Sequence, residues 1–426
     1  MQSCLLLECC PYHWEVFPAW VSLLGEFGYR VDIACPDTPG HLETLALLGV
    51  RRLPVERLWE VPFDRYDLVL VGTLMHEGYN EPYVPVPGLD LIEKLGRPSI
   101  GVIHEPALWG ERRPEVSFDG HHAGGSGLLN LFSDQSFYWE GRLRRERRWA
   151  WEGDRLVLWE EQRRLGFVSV DGGATYRGPN GMALHRRPGP NHDLERHTRS
   201  GRHAIVTLSR QGAESLGARC SDAFWIVPFE CHDALPSSPT GEFVFAGSIN
   251  YQTKAISSLV SACASLTADE SVVVVGGTRN SKFAENANIS RLIRDLAARG
   301  VADKVQFTGY LPYGKYVERL RRSRFFLPLV DDRIADGDYQ TRMPAAIPLS
   351  LGLGVPMVVN EAIAHRFDLD FMVCYPGEDL ASGLAAARSI NEEDYDRLRR
   401  RTLDAARRQR DHNRETLAGI LRRVLP

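Results

Sequence analysis

Short apolar runs alternate with stretches of helical periodicity along this chain, and they do so in two separate series. In the first, Cys4–Glu8, Arg30–Cys35, Asp67–Gly72 and Ser99–Ile103 read as strands. Trp14–Phe27, stopped by Gly28, and His41–Leu48 read as helices. Apolar runs this short, with helices between them, belong to a parallel sheet covered on both faces. The series resumes with strand His203–Leu208, helix Gln211–Leu216 and strand Phe224–Val227, closed by Pro228. Ala234–Gly241 is rich in Pro and Ser and reads as a linker.

A second series follows. Its strands are Phe243–Ala246, Ser271–Val275, Lys304–Phe307, Phe325–Leu329, Pro356–Val359 and Met372–Tyr375. Its helical stretches are Ala255–Leu266, Ile289–Arg299, Tyr313–Arg322, Ala345–Leu351 and Leu380–Ala387. The expected fold class is therefore α/β, with two doubly wound, Rossmann-like domains facing a cleft. Between residues 111 and 195 the helical pattern gives way to alternating runs and turn signals such as Glu152-Gly153-Asp154 and Asp171-Gly172-Gly173. This reads as a β-rich antiparallel insertion in the first domain. Its Trp139, Trp149, Trp151 and Trp159 suit a small core of its own, or stacking on sugar rings. The expected boundaries are 1–110 with 196–236 for the first domain, 111–195 for the insertion, 237–388 for the second domain, and 389–426 for a helical tail. The tail carries an apolar stripe of Leu398, Leu403, Leu417, Ile420, Leu421 and Val424 among arginines. It reads as a packed helix, or as a contact with an anionic membrane surface.

Charge narrows the function classes. The 426 residues carry a net charge of −4, which argues against a protein that coats nucleic acid. Only five of the 51 basic residues are lysines, so Lys254 in a loop is a distinctive compact charge. Eight cysteines without a Cys-x-x-Cys argue for reduced thiols rather than a disulfide framework or zinc ribbon. The start of the chain lacks the basic region and cleavage site of a signal peptide, and no run is long enough to span a membrane. A cytoplasmic protein is expected, with at most a peripheral place at the inner face of the membrane.

In doubly wound sheets, ligands bind beyond the carboxyl ends of strands. After strand Phe243–Ala246 come Gly247, Ser248, Asn250 and Lys254. A glycine turn, small polar residues and a helix start make an anion site. Further on, Tyr339, Gln340, Thr341 and Arg342 stand near another helix start, where backbone N–H groups and a guanidinium converge on phosphate.

The order FAGSINYQTK, VVVVGG, VQFTGYLP and LSLGLGVPMVV resembles the C-terminal half of GT-B glycosyltransferases, most closely the group-1 family, from Phe243 to about Ala387. The resemblance implies a nucleotide diphosphate sugar as co-substrate, with no further cofactor and no metal. Gly247, Ser248, Asn250 and Lys254 would lie along the diphosphate, and Gly309, Tyr310 and Leu311 along the base. Tyr339, Gln340, Thr341 and Arg342 would hold donor phosphates and sugar. Retaining members carry Glu-x7-Glu here; the corresponding positions are Thr341 and Leu349, neither acidic.

An inverting reaction needs one base, and a histidine with a near-neutral pKa suits it. His13, in the loop after the first strand where inverting relatives place a catalytic histidine, is the expected base, with Glu15 second. His104 resembles a histidine that contacts the donor sugar, and Asp331 and Asp338 are candidate acceptors for sugar hydroxyls. The implied function is transfer of a sugar to a hydroxyl on a glycan, lipid or protein acceptor, as in glycan, glycolipid or exopolysaccharide assembly. The alternatives are a sugar-nucleotide 2-epimerase of GT-B type and a non-catalytic sugar-nucleotide or glycan-binding protein.

Overall fold

The computed structural model describes residues 2–10, 13–74, 88–109, 114–122, 125–132, 135, 137–139, 147–160, 163–186, 194–217, 219–220, 222–232, 240–251, 253–277, 287–335 and 339–425. The chain starts with β1 (Gln2–Leu7), α1 (Phe17–Glu26), β2 (Tyr29–Cys35), α2 (Pro39–Leu48), β3 (Arg51–Pro54), β4 (Leu68–Val71), α3 (Gly88–Leu95) and β5 (Ser99–Ile103). The insertion supplies β6 (Pro114–His122), β7 (Gly125–Phe132), β8 (Phe137–Trp139), β9 (Arg147–Glu152), β10 (Arg155–Glu160), β11 (Arg163–Ser169), β12 (Thr175–Arg177) and β13 (Ala183–Arg186). The first domain then resumes with α4 (Leu194–Arg199), β14 (His203–Thr207), α5 (Arg210–Leu216) and β15 (Ala223–Trp225).

The first sheet has seven parallel strands in the order β15-β14-β5-β4-β1-β2-β3. Strand β1 shows why its sequence suits the centre. Cys4 and Leu6 enter the core on one face, and Leu5 and Leu7 the core on the other. Alternation on two apolar faces leaves an unbroken apolar run. The chain leaves β1 first to one side and returns on the other at β4, so the carboxyl ends of β1 and β4 flank the crevice.

The insertion is an antiparallel meander of eight strands, ordered β8-β7-β6-β13-β12-β11-β10-β9. Its two ends, β8 and β9, are consecutive in the chain and lie against each other. Trp149 N–H donates to Gln135 O at 2.8 Å, and its indole N–H to Phe132 O at 2.9 Å. The sheet thus rolls toward a barrel around its own core, which includes Phe118, Leu131, Phe137, Trp149, Leu158 and Phe167. Trp151 is 39% exposed, whereas Trp149 is buried. The Trp139 side chain lies outside the described residues.

The second domain comprises β16 (Glu242–Ser248), α6 (Ile256–Ala262), β17 (Ser271–Gly277), α7 (Ala287–Ala298), β18 (Val305–Gly309), α8 (Tyr313–Arg321), β19 (Phe325–Phe326), α9 (Asp332–Ala335), α10 (Ala346–Leu353), β20 (Val358–Asn360), α11 (Glu361–Arg366), β21 (Val373–Tyr375) and α12 (Leu380–Ser389). Strands β18-β17-β16-β19 are parallel, and a bridge from Phe326 to Met357 carries the order on to the parallel pair β20-β21. Strand β19 is shorter than its apolar run suggests. Pro328 lacks an N–H for the ladder, and Leu329 adopts φ 52°, which turns the chain away.

The final helix α13 (Glu392–Val424) is capped by Asn391, whose side chain accepts from Asp394 N–H. Its first half, through Tyr395, Leu398 and Ala406, packs into the second domain. Its end, through Leu417, Ile420, Leu421 and Val424, packs into the first. The apolar stripe read from the sequence is buried within the protein. Among the described residues, no helix is long and apolar enough to cross a membrane.

Candidate active site

The site is built where β1, β4 and β5 end. Glu8 directly follows β1 and is fully buried. Its Oε1 accepts from Cys10 N–H at 2.9 Å and its Oε2 from the Thr73 hydroxyl at 2.8 Å. Gly72 makes this approach feasible, because a Cβ there would stand 2.8 Å from Glu8 Oε2. Burial pushes the Glu8 carboxyl up to about 7, opposed by His13, the Cys10 amide and the Thr73 hydroxyl.

His13 opens the short turn before α1 with φ 67°, a left-handed conformation uncommon outside glycine. Its Nδ1 lies 3.6 Å from Glu15 Oε1. Its ring centroid is 4.5 Å from that of His104, at the end of β5. Burial alone would lower the His13 pKa, but Glu15 and then Glu8 outweigh it and hold it above the ordinary value. His104 goes the other way. Burial and the neighbouring His13 keep it well below the usual range. Its Nε2 lies 2.9 Å from Gly72 O, which fits a neutral ring donating from Nε2 and leaves Nδ1 as the acceptor. Glu15 is held below its usual value: burial would raise it, and His13 overrides that.

The second domain closes on this site. Arg342 Nη1 donates to Glu105 Oε1 at 3.0 Å, next to His104. Arg342 also acts on the ionisation of both His13 and His104. Ser209, the cap of α5, donates to Thr341 O at 2.8 Å. Tyr310 donates to Glu43 on α2 at 2.7 Å. Trp14 meets Tyr313 and Tyr316 of α8 edge-on, with centroids 5.9 and 5.8 Å apart.

Of the residues singled out in the sequence, His13, Glu15, His104 and Arg342 are brought together, with Thr341 beside them. Lys254 Nζ donates to Pro328 O at 3.3 Å and lies 4.8 Å from the Tyr339 ring centroid, so it ties the start of α6 to the loop before α10. Gly247 adopts φ 136° and Gly309 φ 66° at the ends of β16 and β18. Ser248 ends β16 and Asn250 follows it; Leu311 packs on the second core, and Gln340 is exposed. Asp331 is fully buried, and its carboxylate accepts from Ile334 N–H at the start of α9. Asp338 lies outside the described residues. Among the described residues, no group of three or more His, Cys, Asp or Glu is placed to hold a metal ion.

Sequence reading passed over Glu8, Thr73, Glu105 and Trp14. Glu8 did leave a signal: it is a charge closing an otherwise apolar strand. Thr73 and Glu105 left none, because their roles depend on partners 65 and 237 residues away.

No family model and no curated protein matches the chain. Solved structures do. A crystal structure of HepE from Anabaena in complex with UDP and glucose superposes with TM-score 0.59 at 10% identity, covering 99% of this chain and 100% of that one. HepE in complex with UDP-glucose gives the same score and identity, covering 99% of each chain. A glycosyltransferase from Rickettsia africae gives 0.53 at 9% identity, covering 99% of this chain and 96% of that one. At such low identity the likeness carries fold alone. With two Rossmann-like sheets of matching strand order facing a cleft, the chain has the GT-B fold of glycosyltransferases.

Proposed function

We propose that this chain transfers a sugar from a nucleotide diphosphate sugar to a hydroxyl acceptor, with inversion and with His13 as base. The observation that carries the reading is the pairing of His13 with Glu15 on one side of the cleft and Arg342 on the other. The acceptor hydroxyl gives its proton to His13 while its oxygen attacks the anomeric carbon and the bond to the diphosphate breaks. Glu15 orients the imidazole and stabilises the imidazolium. Arg342, Lys254 and the N–H groups after β16 and before α10 take up the charge of the leaving diphosphate. Donor contacts are assigned to Gly247, Ser248, Asn250, Lys254, Gly309, Tyr310, Leu311, Tyr339, Gln340, Thr341 and Arg342, and His104 to the donor sugar. The acceptor is a glycan, a lipid or a protein.

HepE was solved with UDP and UDP-glucose, which makes uridine diphosphate the first nucleotide to test. Calorimetric titration with UDP, GDP, CDP and dTDP is the experiment, and binding by none of them would sink the proposal. His13→Ala is expected to leave nucleotide binding intact and to cut turnover by about 100-fold or more. A changed sugar released from the donor without acceptor would point to epimerisation instead.

A further inference from the structure

Trp14 has no part in the chemistry above, yet it stands between the two domains. On the first-domain side its indole lies against Gly40, near the start of α2, where a Cβ would come within 2.5 Å of Trp14 Nε1. A glycine there makes room for the indole. On the other side Trp14 meets Tyr313 and Tyr316 edge-on, and both belong to α8 of the second domain. Edge-to-face aromatic pairs favour one relative placement of their rings. The Tyr313 hydroxyl donates to Glu230 at 2.6 Å, which fixes one of these two rings. Tyr310 donates to Glu43, so α2 is tied a second time, to the loop that leads into α8.

His13 precedes Trp14 in the same turn, which Val16 N–H closes by donating to His13 O at 3.2 Å. With φ 67°, His13 holds a conformation that a residue with a side chain keeps when its surroundings impose it. Trp14 carries those surroundings across to α8. That helix follows Gly309, Tyr310 and Leu311, the residues assigned to the nucleotide base. Resting on the transfer reading for the roles of His13 and of that loop, we propose that Trp14 is a positioning residue, which seats the His13 ring against His104 while α8 is docked on the first domain. When the cleft opens, Tyr313 and Tyr316 withdraw, the indole loses the rings that press it onto Gly40, and the His13 turn is released. The base is thus set in place by the half of the molecule that carries the donor.

The test is the nuclear Overhauser cross-peak between the ring protons of His13 and His104 in the full chain, whose centroids are 4.5 Å apart. The signals are assigned with His13→Gln and His104→Gln. His197 and His203, with centroids 4.4 Å apart, supply a control cross-peak in the same spectrum. Tyr316→Leu removes a ring on the second-domain side of Trp14, and Gly40→Ala pushes the indole from the first-domain side. Each is expected to lose the His13–His104 cross-peak and to keep the His197–His203 one. Tyr316→Phe retains the ring and is expected to keep both. The first two variants act on Trp14 from opposite sides, so either decides the matter if the other does not fold, which the control cross-peak reports. A His13–His104 cross-peak at full strength in folded Tyr316→Leu or Gly40→Ala overturns the proposal. This measurement needs no substrate, so its outcome is separate from success or failure of the transfer reading. In turnover, Trp14→Leu should lower kcat by about tenfold or more and leave the donor KM within about twofold. A raised KM with kcat unchanged would make Trp14 a binding residue and would equally overturn the proposal.

Discussion

Two pairs of histidines lie ring against ring in this protein, and His13 is the one of the four held above the ordinary value, for reasons its surroundings explain. His13 lies among carboxylates and is held ready to be protonated. His197 on α4 and His203 at the start of β14 stack with centroids 4.4 Å apart and planes 12° from parallel. Burial pushes both down to about 4, with Arg196 and Arg202 also acting against a charge there. The folded state thus binds fewer protons than the unfolded chain between those values and the ordinary histidine value of 6.5. The stability this pair contributes is complete above about pH 6.5 and is lost as pH falls through about 4. Denaturation followed against pH should therefore show a loss of up to about 7 kcal/mol across this range from the pair, and His203→Gln should flatten the profile. Glu8 acts with the opposite sign. Its carboxyl is raised, so its contribution is present below the ordinary carboxylate range and fades as pH rises through about 7. No spacing rule marks either pair. His13 is legible as a histidine in a loop after a strand; its ring neighbour His104, 91 positions along, is decided by the order of strands.

Among the elements, the insertion is the most self-contained, because its core is separate from those of the two α/β domains. The turn signals at residues 152–154 and 171–173 are plain in the sequence, and the hairpins they imply are present as β9–β10 and β11–β12. The closure is not plain. It depends on β8 meeting β9, where Trp149 supplies two hydrogen bonds and a buried indole. Trp149→Ala is expected to cost the insertion about 3–5 kcal/mol, through the lost volume and the loss of the indole hydrogen bond to Phe132 O at the seam. Limited proteolysis should then cut within residues 111–195 while the α/β domains stay resistant. Uniform loss of protection across the chain would contradict this independence. The ends of β19 and α6 were less legible, because the left-handed Leu329 and the 3₁₀ turn at Cys263–Ser265 shorten runs whose apolar pattern continues.

Across the whole molecule, α13 and the contacts over the cleft join the halves. Asn413 accepts from Val227 N–H at 3.1 Å and donates to Val227 O at 2.6 Å, as a neighbouring strand would. His412, the residue before it, stacks on Trp225 with centroids 3.7 Å apart. Asn413→Ala leaves a buried N–H and carbonyl unpaired, and should lower stability by about 2–3 kcal/mol in chemical denaturation. The Arg342–Glu105 pair is partly exposed and solvent-screened, so its worth to stability is small. Its effect on ligand binding is more informative. Glu105 holds the guanidinium assigned to donor phosphate, so Glu105→Gln should strengthen UDP binding by about two- to fivefold in calorimetry. Equal affinity in the two proteins would show that Glu105 and the diphosphate do not compete for Arg342.

What the sequence determined by itself is local. The alternation of apolar runs with helical periodicity sets the α/β class, and the loops after strands mark His13, His104 and Arg342 as candidates. Turn residues announce an antiparallel insertion. These depend on neighbours a few positions apart, where periodicity and turn chemistry act. Tertiary structure decided the rest: the burial of Glu8 against Gly72, the opposite ionisation of two touching histidines, the seam at Trp149, and the path of α13 from one domain into the other. Each depends on which distant residues exclude water from a group or supply its partner, and burial and electrostatics of that kind exist only once the strands are in order.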